Sequence, residues 1–92
     1  MYEIETALLR ASATGDAWSF SEFYDLTAPR VYGVVSSIVG DGELADSVVR
    51  DVFLTTWRQA RRFDEAHECA LATVLRTAYC LASRRAEKLE AA

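Results

Sequence analysis

The stretch Asp46–Phe63, DSVVRDVFLTTWRQARRF, decides how this chain folds. Val48, Val49, Val52, Phe53, Trp57 and Ala60 recur at spacings of three and four, which aligns them along one side of an α-helix. That side predicts a core face. The opposite side carries Ser47, Arg50, Asp51, Leu54, Arg58 and Arg61, a polar surface holding one large aliphatic residue. Single exposed apolar residues are normal on a soluble protein. A leucine bordered by Arg50, Asp51 and Arg58 is also what a helix shows where it meets a partner, with a small apolar centre inside a charged rim. The face reads either way from these residues.

Outward from this helix the chain reads as all-helical, with no β-branched alternation long enough for a sheet. Upstream, Gly40-Asp41-Gly42 separates it from its predecessor, and Asp41 is the expected N-cap. The preceding segment carries Phe20, Phe23, Tyr24 and Leu26/Thr27, then Val31, Tyr32, Val35, Ile38 and Val39. Pro29 sits between these sets, predicting a kink or a fresh start near Ala28, because proline lacks the amide hydrogen and crowds the preceding turn. A first helix over Ile4–Ala13 aligns Ile4, Leu8 and Ala11, with Ala7 beside them. Gly15 and Asp16 then supply a stop and the next cap. Downstream, Asp64–Glu68 reads as a loop or single turn. A last helix over Cys69–Leu89 should bury Leu71, Val74, Leu75, Ala78 and Ala82, with Thr73, Arg76, Thr77, Cys80, Arg84 and Lys88 outside and the final Glu-Ala-Ala frayed.

Ninety-two residues allow one domain, 1–92, and 51% hydrophobic with 26% charged residues is the balance of a soluble globular protein with a modest core. Charges interrupt every apolar run before about 18 residues, so neither a signal peptide nor a membrane span is expected, and the cytoplasm is the default compartment. The net charge of −4 is uneven. Acidic residues predominate through residue 60. Beyond it Arg61–Arg62, Arg84–Arg85 and Lys88 tip the balance slightly basic. An acidic domain is a poor autonomous binder of nucleic acid, whose affinity comes mainly from phosphate neutralisation, although a tethered or partner-assisted contact is compatible with it.

Chemistry is sparse. Cys69 and Cys80 lie eleven positions apart on one helix, about 16 Å along its axis, too far to pair, and read as small semi-buried residues. With His67 the only histidine, no metal motif forms and no cofactor is implied. No serine stands beside a histidine as a nucleophile, and no glycine-rich loop opens a helix to cradle phosphate, so an enzyme is not expected. His67 reads as an exposed loop residue. Trp18 and Trp57 read as core or groove aromatics rather than a stacking platform for bases.

GDAWSFSEFYD at Gly15–Asp25, RVYG at Arg30–Gly33, RDVFLTTW at Arg50–Trp57, RFD at Arg62–Asp64 and ALA at Ala70–Ala72, in this order and spacing, together resemble the second conserved region of bacterial sigma factors of the extracytoplasmic-function class. The resemblance runs from about Ala7 to Ala86. It implies a compact bundle of about four helices whose Asp46–Phe63 helix docks on the clamp helices of the β′ subunit of core RNA polymerase. It also implies that the last helix and the loop before it open the promoter −10 element and capture flipped bases of the non-template strand. By position, the polymerase-facing residues would be Ser47, Arg50, Asp51, Leu54 and Arg58. The DNA-facing residues would be Arg61, Arg62, His67, Thr73, Arg76, Thr77, Cys80 and Arg84.

The departures from the family pattern fall on those surfaces. Ser47 and Arg50 stand where an acidic residue and a glutamine are usual, and a changed polarity there could turn attraction into repulsion. On the last helix Thr73 replaces a frequent tryptophan, Tyr79 an asparagine or histidine, Arg84 an aspartate and Glu87 an arginine. Such sigma factors also carry a further helical domain that reads the −35 element, which these 92 residues do not contain. Two expectations follow. One is a promoter-melting domain of a sigma factor. The other is a degenerate sigma-like protein whose ligand is an anti-sigma factor or another regulator and which no longer recognises promoters.

Overall fold

Two glycine-marked breaks and one polar loop divide the chain, and a computed structural model describes residues 3–91 of it. Helix α1 spans Glu3–Ser12, α2 Ala17–Val39, α3 Glu43–Gln59 and α4 Ala70–Ala91; α3 tightens into a 3₁₀ turn over Ala60–Arg62. Among the described residues there is no strand, and the fold is the all-α bundle that the sequence implies. Gly15 adopts a φ of 93°, a left-handed conformation costly to a side-chain-bearing residue, and its N–H donates to the Ser12 carbonyl. Asp16 then caps α2. Its carboxylate accepts from the Ser19 hydroxyl at 2.8 Å and the Ser19 amide at 3.2 Å, and these bonds hold its pKa below the ordinary aspartate range.

At the other breaks the structure departs from expectation. Pro29 neither ends nor restarts a helix: α2 runs through it. Pro29 and Asp25 are both exposed, so the carbonyl left without an amide partner lies on the watered side. Meanwhile Phe23, Thr27, Val31 and Val35 are completely buried at four-residue intervals across the proline, and this packing holds the helix in register. Asp41 is not a cap. Gly42 occupies the cap position of α3, with its carbonyl accepting from the Asp46 amide, while Glu43 and Asp46 in the first turn face the positive end of the helix dipole.

The α3 stripe packs as expected for Val48, Val49, Val52, Phe53 and Ala60, all buried. Trp57 is a correction, because it remains 37% exposed at the edge of the core. The first helix is rotated from its expected register: Leu9 and Ser12 are buried and Leu8 is half-buried, whereas Ile4 is exposed. Ser12 tolerates burial because its hydroxyl donates to the Leu8 carbonyl at 2.7 Å. In α4 the buried row is Ala70, Val74, Ala78 and Ala82, with Leu71 and Leu75 only flanking it. Helix α4 begins one residue later than expected and extends two residues past Leu89, through Ala91; Ala92 lies outside the described residues. Cys80 is exposed rather than semi-buried, Cys69 is half-buried, and both thiols are free.

Helix α2 is the hub, packing against α1, α3 and α4, while α3 and α4 also pack on each other. The contrast between Phe23 and Trp57 is testable by denaturant unfolding. Phe23→Ala should cost about 3–5 kcal/mol, the range for removing a buried aromatic ring, and Trp57→Ala less than about 3 kcal/mol. Equal losses would place Trp57 in the core after all.

Candidate functional site

Helix α3 presents its outer side next to α2, and the two together form more than the lone leucine visible in the sequence. Ala17, Phe20, Tyr24 and Tyr32 of α2 face Asp46, Val49, Arg50, Phe53, Leu54 and Trp57 of α3 across an open groove of about 600 Å³. Its floor is aromatic. Phe20 meets Trp57 edge-on with ring centroids 4.9 Å apart, and Tyr24 lies 4.4 Å from Phe53. Its rim keeps large apolar side chains in water: Tyr24 is 42% exposed and Leu54 43%. At one end the Tyr32 hydroxyl donates to the Asp46 carboxylate, tying α2 to α3. That bond, together with partial desolvation and the neighbouring negative charge, pushes the Tyr32 pKa above the ordinary tyrosine range.

The five candidate polymerase-facing residues do not share one patch. Arg50 and Leu54 line the groove. Ser47 is half-buried at the start of the helix. Asp51 points toward α4, its carboxylate 3.7 Å from the Arg85 guanidinium. Arg58 lies beside Arg61 in a shallow depression over Ser12, Ala13 and Gly15, with Trp57 as the wall shared with the groove.

The eight candidate DNA-facing residues divide similarly. Arg62, Thr73 and Thr77 meet in a pocket of about 230 Å³ that Leu9, Phe63 and Glu68 also line. Thr73, Thr77, Cys80 and Arg84 follow one another at four, three and four residues, a single stripe about 16 Å long. Cys80 and Arg84 are exposed, and Arg61 belongs to the depression beside Arg58. The loop before α4 is ordered by its own acids. Asp64 accepts from the Ala66 amide at 3.0 Å and lies 2.7 Å from His67 Nδ1, and Glu68 accepts from the Asp64 amide at 2.8 Å. Glu68 also lies 3.8 Å from the Arg76 guanidinium, so that cation is partly answered within the domain.

Sequence reading missed the α2 half of the groove. Phe20 and Tyr24 were visible as an i, i+4 aromatic pair, but periodicity does not say which neighbouring helix such a pair faces. It also missed Thr6, Arg10 and Glu65, which act at the start of α4 and in the loop: Thr6 accepts from the Ala70 amide, and Arg10 pairs with Glu65.

The domain thus presents an exposed aromatic groove on one side and a polar helical stripe behind an ordered loop on another. The family model for sigma-70 region 2 matches residues 23–88, and the chain belongs to that family. The ECF RNA polymerase sigma factor SigK of Mycobacterium tuberculosis (strain H37Rv) is 41% identical over 73 residues, covering 79% of this chain and 39% of the relative. SigK of Mycolicibacterium vanbaalenii is 37% identical over 86 residues, covering 94% of this chain and 44% of the relative. SigK of Mycobacterium ulcerans is 36% identical over 73 residues, covering 79% of this chain and 39% of the relative. The chain thus spans about two fifths of the length of the curated relatives it matches. No solved structure matches it. Among the described residues no helix is long and apolar enough to cross a membrane.

The α2–α3 tie makes a spectroscopic prediction. In a tyrosine ultraviolet titration of the folded domain, one phenol should ionise above the ordinary range, and Tyr32→Phe should remove that late step. A titration unchanged by the substitution would show that Tyr32 does not hold the Asp46 bond in solution.

Proposed function

We propose that this domain is the promoter-melting region of a cytoplasmic sigma factor: it docks on the β′ clamp helices of core RNA polymerase and presents α4 and the preceding loop to the non-template strand of the −10 element. It serves transcription initiation by binding alone and catalyses no reaction. The observation that carries this reading is the α2–α3 groove. Tyr24, Leu54 and Trp57, each more than a third exposed and all lining one groove, are a concentration of large apolar surface that a solvated helix face does not need. Arg50 and Asp46 border it with charge of both signs, the arrangement of a docking site with a desolvated centre and a polar rim. Family membership supports polymerase as the partner, and the relatives' names support the extracytoplasmic-function class.

On the DNA side, Arg62, Thr73 and Thr77 around one pocket, with Cys80 and Arg84 continuing the stripe, supply hydroxyls and cations of a size suited to an unstacked base and its phosphates. A second reading keeps the fold and the groove but gives the domain an anti-sigma factor or another regulator as its ligand, without promoter recognition. Its support is electrostatic: the chain carries a net −4, Asp64, Glu65 and Glu68 crowd the loop, and Arg76 is drawn toward Glu68.

Titration of the domain with core RNA polymerase, and with single-stranded −10 DNA at two salt concentrations in the presence and absence of polymerase, separates the readings. Leu54→Ala should weaken polymerase binding by about 1 kcal/mol, close to fivefold, the scale of a minor hot spot. Unchanged affinity would remove Leu54 from the interface. For the DNA arm, Arg62→Ala should lower the slope of log K against log salt by about 0.7, one phosphate contact on a single strand. A folded domain that binds neither polymerase nor −10 DNA would favour the regulator-binding reading.

A further inference from the structure

Helix α1 lies outside residues 23–88, which the family model matches, yet it touches the candidate DNA-facing surface at three points. First, the Ala70 amide, the first of α4, donates to Thr6 Oγ1 at 3.2 Å, a bond between residues 64 apart in sequence. The first amides of a helix have no partner within it, and Ala70 is 0% exposed, so water does not replace a lost acceptor there. Second, Arg10 pairs with Glu65 in the loop. Third, Leu9, 1% exposed, is part of the wall of the pocket that holds Arg62, Thr73 and Thr77.

These contacts fall on both sides of a stretch whose remaining order is local. Asp64 and Glu68 close the loop on itself, and the Thr73 amide closes the first turn of α4 on the Cys69 carbonyl. None of these local bonds fixes where the loop and helix start lie relative to the rest of the bundle; the burial of Ala70 anchors the helix on the core, and the bonds from Thr6 and Arg10 fix its first amide and the loop. We infer that α1 is a clasp that sets the position of the loop and of the first turn of α4, with Thr6 as its positioning residue and the Arg10–Glu65 pair as an outer strap. Resting on the DNA reading proposed above, the clasp holds Thr73 and Arg62 at the separation that receives a base. A domain lacking the Thr6 bond keeps the α2–α3 groove and loses order on the DNA side alone.

The test is amide hydrogen exchange on the intact 92-residue chain, resolved by residue, for wild type, Thr6→Val, Thr6→Ser and Arg10→Gln, alongside the two titrations. Thr6→Val keeps the side-chain shape and removes the acceptor. It should speed exchange at Ala70 and through the loop by roughly tenfold, the scale of a buried donor stripped of its partner. It should weaken capture of single-stranded −10 DNA severalfold and leave polymerase affinity unchanged. Thr6→Ser should restore both properties, and Arg10→Gln should speed exchange in the loop more than in α4. Wild-type exchange at Ala70 and the loop in Thr6→Val overturns the clasp. So does faster exchange with undiminished DNA capture, since the bond would then steady the helix without positioning the surface. Exchange needs no ligand: if wild type captures no DNA, the DNA reading falls and the clasp stands or falls on exchange and its rescue by serine. If Thr6→Val lowers the helical signal of the whole domain, Arg10→Gln, whose partner pair is on the surface, becomes the deciding variant. Faster loop exchange in it then supports the clasp, and unchanged loop exchange overturns it.

Discussion

The closeness of α4 to the rest of the bundle is the constraint on which the other features depend. Ala70, Val74, Ala78 and Ala82 recur every four residues and are all 0% exposed. Three of the four are alanine, so this ridge is shallow and lets the backbone of α4 approach α2 and α3. The larger buried side chains come from the opposing helices: Phe23, Val31 and Val35 from α2, and Val48, Val52 and Phe53 from α3. A bulkier residue at Ala78 or Ala82 would have to push a neighbour off its rotamer or move a helix, since cores of this density have little space to absorb a methylene.

Because α4 takes up the inner faces of α2 and α3, four aromatic residues of those two helices collect at their outer seam, while Trp18, expected in the core or a groove, stands 74% exposed outside it. Phe20, Tyr24, Phe53 and Trp57 stack there at centroid distances between 4.4 and 6.3 Å, half in the core and half in water. The groove is therefore a by-product of core packing that serves as a surface: its floor is rigid because it is the edge of the core, and rigidity lowers the entropic cost of docking. The same packing turns Asp51 to Arg85 and leaves Arg50 and Leu54 on the groove. One helix face, uniform in the sequence, thus divides into residues that brace the bundle and residues that face outward.

The loop side is organised differently. Its local order comes from acidic side chains within five residues, while its placement comes from α1 and α4. Acidic groups beside a surface proposed to meet DNA weaken long-range attraction for phosphate, consistent with a domain whose DNA contact is made once polymerase has brought the strand close.

Much of this was legible in the sequence. The helix count, the buried valines of α3, the Asp16 cap and the loop at residues 64–68 follow from periodicity and capping chemistry, which act over a few residues. Other features were not. Trp57 sits on the apolar stripe of α3 yet stays at the rim, because whether a position at the edge of a stripe is covered depends on the helix opposite. Pro29 reads as a break, and α2 continues because buried residues on either side are held by tertiary contacts that outweigh one lost hydrogen bond. The register of α1 could not be read because Ile4, Leu8 and Leu9 offer two apolar faces, and contact with α2 and α4 selects between them. By itself, then, the sequence determined four helices, the Asp16 cap and the family. Only the tertiary structure decided which faces meet, where the groove opens and that Thr6 closes the start of α4. Helix formation is governed by neighbours three and four positions away, whereas these contacts join residues up to 64 apart, whose encounter depends on the packing of every helix between them.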